Sequence, residues 1–290
     1  MICKLCRQER QLLNSHLIPR AFYKLLRTPG LENPNPIVGD GKVTRASQDQ
    51  LAQPLLCADC EDLLNKNGES WALSRSYRLK GPPPLYKTLA LASPDPAFES
   101  RTVYSAQAIP EIDLDKLVYF GASIFWRASV ADWTLGRKTA ELMRLGKYEE
   151  QFRQFLLGVA EFPANAAIWV AVVRSERPAP VIFYPTGERV HGYHRHTFDV
   201  LGLSYMLYVG DRLPQEIRRF CAARSPARYL FFTNIDYILE RNARSTFRKS
   251  PPTRKLRALR DKHLSGDMPP FLREQLADLA KRRRKAASNY

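Results

Sequence analysis

Behind Asp113 the apolar residues Leu117, Phe120, Ile124 and Phe125 recur at three- and four-residue spacings. That period predicts a helix with one apolar face, capped by the aspartate. A second amphipathic helix is predicted over 140–160. Beyond it the pattern changes to short β-branched and aromatic runs at 167–173, 181–184, 198–209 and 229–232, which predict strands. A helix over 214–223 is expected between the last two. Helices followed by a small sheet make this part α+β.

The first 80 residues are more polar and richer in turn signals. Pro19 can open a short helix that Pro29-Gly30 stops. Asp40-Gly41, with Ile37-Val38 before it and Val43 after it, predicts a hairpin. Gly81-Pro82-Pro83-Pro84 reads as a stiff connector, and 87–110 has too weak a period to assign. The expected organisation is a small module at 1–80, a linker at 81–110, an α+β domain at 111–242 and a basic tail at 243–290. In the tail, Phe271, Leu272, Leu276 and Leu279 line one face of a further predicted helix. No internal repeat is visible.

Composition narrows the class. The chain has 290 residues, 44% of them hydrophobic, as in ordinary globular proteins. Its 45 basic and 29 acidic residues give +16, a field that attracts polyanions. The charge is concentrated: 241–290 holds 15 Lys/Arg and 4 Asp/Glu, or +11 of the total. A solubilising tail and a nucleic-acid grip both fit that stretch. Met1 leads directly into Cys3 and Lys4 with no apolar leader, and no run approaches the ~20 apolar residues of a membrane span. A cytoplasmic protein without a membrane partner is expected.

Four of the five cysteines form two CxxC pairs, Cys3/Cys6 and Cys57/Cys60. Two residues between cysteines let both thiolates reach one ion from a tight turn, and two such pairs complete a tetrahedral zinc site. With all four positions filled by protein, the site would be structural. Zinc would then supply folding free energy that a module this small lacks in its core. A redox CxxC is the alternative, but no thioredoxin-like strand and helix surround either pair. Cys221, on the expected 214–223 helix, fits a buried core position.

Between the pairs lies Asn14-Ser15-His16-Leu17-Ile18-Pro19-Arg20, and Glu61 follows the second pair directly with Asn65 four positions on. On a helix those two share a face. A carboxylate and an amide oxygen can hold Mg²⁺ or Mn²⁺. His16 opposite them could deprotonate a water while the cation polarises a phosphate. Glu61 also suits a purely structural role as an acid in a first helical turn.

In this order of motifs, with CxxC, S-H-x-I-P and then L-C-x-x-C followed by a polar residue, residues 1–71 resemble the HNH endonuclease family. The resemblance implies a ββα-metal, treble-clef-like fold with a structural zinc on Cys3, Cys6, Cys57 and Cys60. It implies His16 as general base, and Glu61 and Asn65 as ligands of a catalytic Mg²⁺ or Mn²⁺. The implied activity is metal-dependent hydrolysis of phosphodiester bonds in nucleic acid, with DNA as the expected substrate and bacterial defence as a setting. The chain departs from the pattern at Ser15, where the family often has an acid or histidine, and at Asn65, where histidine is usual. No middle asparagine is visible, Gln53 and Asp49 being the nearest polar residues. Glu69 could assist, but Asn67-Gly68 is expected to break the helix before it. These departures favour a rival reading, a zinc-stabilised nucleic-acid-binding or adaptor protein without catalysis.

Other features allow more than one role. His191, His194 and His196 could bind a metal, contact phosphate together with Arg195, or decorate a solvent-facing hairpin. Trp126, Arg127 and Trp133 suit core packing, with Arg127 paired to an acid, or base stacking. Arg20 and the run Lys281-Arg282-Arg283-Arg284-Lys285 are the expected phosphate contacts, which position without reading sequence. A second copy of the chain or another protein is a further conceivable partner.

Overall fold

The structure is a computed structural model and describes residues 1–26, 36–40, 44–47, 49–78, 81–96, 102–135, 138–140, 142–178, 181–224 and 228–234. The predicted turn residues Pro29-Gly30 and Gly41–Val43, the tail helix and the basic run at 281–285 lie outside the described residues.

The first strand, β1 (Leu12–His16), leads through Pro19 into α1 (Arg20–Leu25). Strands β2 (Ile37–Gly39) and β3 (Thr44–Ala46) form the expected antiparallel hairpin. Strand β4 (Ala52–Cys57) pairs antiparallel with β1 and runs straight into α2 (Ala58–Leu64). The expected break at Asn67-Gly68 does not occur. The helix passes through one widened turn, a π segment at Asn65–Glu69, and continues as α3 (Ser70–Ser76). The extra residue in that turn rotates Glu69 inward, where it is buried.

The segment 81–110, expected as a linker, carries α4 (Pro84–Leu91) and β5 (Val103–Ser105). Pro83 caps α4 and Pro84 starts it, because a first-turn proline lacks only an N–H that the helix does not use. Leu85, Leu89, Val103 and Tyr104 of this segment are buried.

Helix α5 (Leu114–Val130) is capped by Asp113, whose carboxylate accepts from the Lys116 N–H at 3.0 Å. Fourteen of its 17 residues are buried. Such a helix needs cover on all sides. A two-residue-long pair, β6 (Thr134–Leu135) and β7 (Lys138–Thr139), follows it. The helix expected over 140–160 is shorter, a 3₁₀ turn at Gly146–Tyr148 and then α6 (Glu149–Leu156).

The remaining strands are β8 (Ala166–Val173), β9 (Val181–Val190), β10 (Tyr193–Val200), β11 (Leu203–Val209) and β12 (Tyr229–Thr233), with α7 (Gln215–Arg219) before the last. The run at 198–209, read as one strand, is two: Leu201 and Gly202 take positive φ and turn the chain between β10 and β11. The sheet has eight strands in the order β3-β2-β9-β10-β11-β8-β12-β5. It is antiparallel from β9 through β10 and β11 to β8, while β2 joins β9 and β12 joins β8 in parallel.

Helix α5 lies on one sheet face. Phe120 meets Tyr205 and Phe198, and Phe125 meets Phe198. A Cβ on Gly121 would stand 2.5 Å from the Tyr205 ring, so glycine lets the helix approach this closely. On the far side of α5 lie α1, whose Phe22 stacks on Phe120 at 5.3 Å, and the π segment, whose Gly68 would put a Cβ 2.8 Å from the Phe120 backbone nitrogen. The opposite sheet face is covered by α7 and the chain after it. Trp169 donates to the Ile217 carbonyl and packs on Phe220 and Phe231, and Cys221 is buried beside Ile217, as expected of a core cysteine. One connected set of buried side chains runs from Cys3 to Phe232.

Candidate metal centre and the buried arginine beside it

The first cysteine pair sits in a tight turn before β1. The Cys3 N–H donates to Gln8 O, the Arg7 N–H to Cys3 O, and Arg7 takes a positive φ. The second pair straddles a strand-to-helix junction, with Cys57 ending β4 and Cys60 in the first turn of α2. The Lys4 N–H donates to Leu55 O, which lays the turn against β4. The four thiols therefore converge, and their sulfurs all lie within 4.8 Å of one another.

The geometry fits one tetrahedral ion. Four sulfurs at ~2.3 Å from zinc would stand roughly 3.8 Å apart, and Cys6 Sγ lies 3.9 Å from Cys57 Sγ. The Cys57 N–H points at Cys3 Sγ from 3.4 Å, a donor suited to a thiolate. Burial pushes the Cys3 thiol up, but hydrogen bonds from the Cys57, Cys6 and Leu5 backbone outweigh it and hold its pKa at about 7. Burial and the neighbouring cysteines raise Cys60 instead. A divalent cation among the four would favour the thiolate at every position. The four cysteines could thus hold a metal ion such as zinc.

Parts distant in sequence grip this centre. Arg153 of α6 donates to Leu5 O at 2.6 Å and pairs with Glu150, which also binds Arg7. Arg10 reaches Asp59 of α2 at 2.7 Å.

Around the centre the structure brings some of the expected residues together. His16 ends β1, half-buried, and Glu61 stands in the first turn of α2. Burial lowers the His16 pKa, Arg20 and Arg127 lower it further, and Glu61 works the other way. The balance of these causes favours the uncharged imidazole. Asn65 is engaged elsewhere: its Oδ1 accepts from Ser70 Oγ at 2.7 Å on the exposed side of the helix. Ser15 is buried in the β1–β4 strand pair, where its Oγ accepts from the Leu56 N–H at 3.1 Å beside a register shift between Leu13 and Asn14. Gln53 pairs in register with Ser15.

Of the two roles the sequence allowed Arg127, core packing paired to an acid or base stacking, the structure shows the first. Its side chain is 1% exposed, and it reaches Glu61 Oε2 at 3.3 Å and Glu69 Oε1 at 2.6 Å. It thus ties α5 to both ends of the widened helical turn. Burial raises the Glu69 pKa, and Arg127 opposes that rise. The available signal was a charged residue in the apolar run Phe125-Trp126-Arg127-Ala128, since arginine is almost never fully buried without a partner. Which partner could not be read, because Glu69 was expected beyond a helix break.

Among the described residues, the four cysteines are the one group of three or more metal-ligating side chains that lie together. Glu61 Oε1 is buried and has no hydrogen-bond partner among the described residues. Compared with known protein families, with curated proteins and with solved structures, the chain matches none.

Proposed function

We propose that this chain is a metal-dependent phosphodiester hydrolase of the HNH type acting on nucleic acid, with DNA as the substrate. The observation that carries the reading is the juxtaposition of His16 at the end of β1 with Glu61 in the first turn of α2, near enough for their charges to interact, on a strand pair and helix that the four cysteines bring together. A strand–strand–helix unit of this kind is the core of the ββα-metal, treble-clef-like fold.

In this reading His16 takes a proton from the attacking water, which requires the uncharged imidazole. Arg127 fixes the Glu61 carboxylate through Oε2, and Oε1 has no hydrogen-bond partner among the described residues. A Mg²⁺ or Mn²⁺ held there through Glu61, water and the substrate phosphate would stabilise the developing negative charge, since Mg²⁺ commonly uses one or two protein carboxylates. Asn65 has no part in this version of the site. Arg20, exposed at the start of α1, and the basic tail hold the polyanion.

A second reading is favoured by one observation. Arg127 already supplies a positive charge to Glu61 and Glu69 together, so the cluster also fits a structural clamp in a nucleic-acid-binding or adaptor protein. Plasmid nicking by the zinc-loaded protein separates the two readings. With Mg²⁺, Mn²⁺ or Ni²⁺ the enzyme reading expects nicking that EDTA stops and that His16→Ala reduces by ~100-fold or more. A folded protein that binds DNA in a salt-sensitive way and never nicks it supports the binding reading. Nicking that His16→Ala retains in full removes His16 as the base.

A further inference from the structure

Well away in sequence from the cysteine centre, a cleft of about 790 Å³ opens between the β9–β10 turn, the 3₁₀ turn at Gly146–Tyr148 and the loop after β11. That size is ordinary for a small-ligand site. Its walls are unusually cationic. The antiparallel register sets His194 of β10 directly opposite Arg189 of β9 and Val209 of β11, so the imidazole and guanidinium share one sheet face. His196, two residues on, follows on that face, and the two imidazoles lie parallel with centroids 6.1 Å apart. His191, with positive φ, and Gly192 make the turn at the rim. Arg212 enters from the loop after β11.

Two facts make this more than a basic surface. Among the described residues Asp211 is the one acid on the walls, and it is already engaged by Lys147 Nζ at 2.6 Å and Tyr148 Oη at 3.0 Å. Arg189 and Arg212 have no ion pair or hydrogen bond to another described residue. Arg195, the arginine that the sequence suggested for phosphate contact, lies on the other sheet face and is paired with Glu188. The register thus exchanges Arg195 for Arg189 as the residue that faces the cleft.

We propose that this cleft binds a phosphate ester, with Arg189 and Arg212 as the charged contacts and His191 and His194 as additional donors or stacking faces. Guanidinium forks match phosphate oxygens two at a time, and these two give up no ion pair with a described residue on binding. The phosphate can come from a free nucleotide or from a nucleic-acid strand crossing the cleft. The site is separate from His16 and Glu61, and its failure would leave the hydrolase reading untouched.

The test uses the full chain, zinc-loaded, with Lys281–Lys285 changed to serine so that the tail does not report. Adenosine triphosphate and a short single-stranded oligonucleotide are titrated separately by calorimetry. Saturable binding of at least one is expected. In Arg189→Ala/Arg212→Ala it should weaken by ~10-fold or more, because each charge-assisted hydrogen bond contributes on that order. Both arginines are exposed, so the variant keeps its fold. Arg195→Ala should bind like the parent protein. Triphosphate binding without oligonucleotide binding identifies a nucleotide site, and oligonucleotide binding that triphosphate competes away identifies a strand crossing the cleft. Absence of saturable binding of either probe, or binding indifferent to the double substitution, overturns the proposal.

Discussion

Two buried ionisable side chains set what single substitutions will do. Arg127 reaches both Glu61 and Glu69 while itself almost wholly buried. Removing one partner of such a cluster strands the others, which is why broken buried pairs cost about 3–5 kcal/mol. Arg127→Ala should lower stability by that order in urea unfolding. A loss under 1 kcal/mol would show that water reaches and solvates the two acids. His196 is the opposite case, a buried group held neutral. Burial, and then His194, push its pKa down to about 4, against roughly 6.5 in an unfolded chain. As pH falls from 6.5 to 4 the unfolded state takes up the proton first, so stability drops across that window by about 3 kcal/mol and levels off below it. Its cross-strand neighbours Gly187 and Leu207 carry no charge to offset this. Unfolding measured from pH 7 to 4 should show a shallower slope in His196→Asn than in the parent. Equal slopes would mean that His196 is protonated in the fold.

At the scale of elements, the widened turn at Asn65–Glu69 joins the cysteine-clamped unit to the sheet-covering helix. It does two jobs with one inserted residue: it turns Glu69 inward to Arg127, and it brings Gly68 against the α5 backbone. A methyl on Gly68 would meet the Phe120 nitrogen at 2.8 Å and the Lys116 carbonyl at 3.1 Å, both backbone atoms that cannot swing away. Gly68→Ala should therefore destabilise by about 1–3 kcal/mol, the usual range for overpacking, although alanine is the better helix former. A stabilising effect in thermal melts would show that the two helices separate easily. The residues Asn67-Gly68 looked like a helix stop because local propensity disfavours them. Packing against α5 outweighs that preference, because glycine alone fits the contact.

For the whole molecule the decisive fact is that buried side chains form one connected set from Cys3 to Phe232, with α6 and α5 both tied to the cysteine-bearing unit. Removal of a bound metal should then reach beyond the first 80 residues. Metal analysis is expected to find one zinc per chain, and chelation or Cys57→Ser should lower the melting temperature of the protein in a single transition. An unfolding in which the region of Trp133 and Trp169 melts unchanged after chelation would show instead that the zinc unit folds apart from the sheet. No helix among the described residues is long and apolar enough to cross a membrane.

Local pattern determined much of this protein. The helix behind Asp113, the strand runs, the hairpin at Ile37–Ala46 and the convergence of Cys3, Cys6, Cys57 and Cys60 follow from periodicity, caps and metal-ligand spacing, which act over a few residues or through one ion. His16 and Glu61 were legible as candidates for the same reason. Tertiary structure alone decided what no short window contains. It sent β2 and β3 to the edge of the main sheet, set α4 and β5 within the expected linker, and buried Ser15 in the β1–β4 pair. It chose Glu69 and Glu61 as partners for Arg127 across more than 50 residues of chain. It also chose Arg189 rather than Arg195 to face the cationic cleft, because strand register, fixed by burial of one sheet face, determines which of two nearby arginines points to which side.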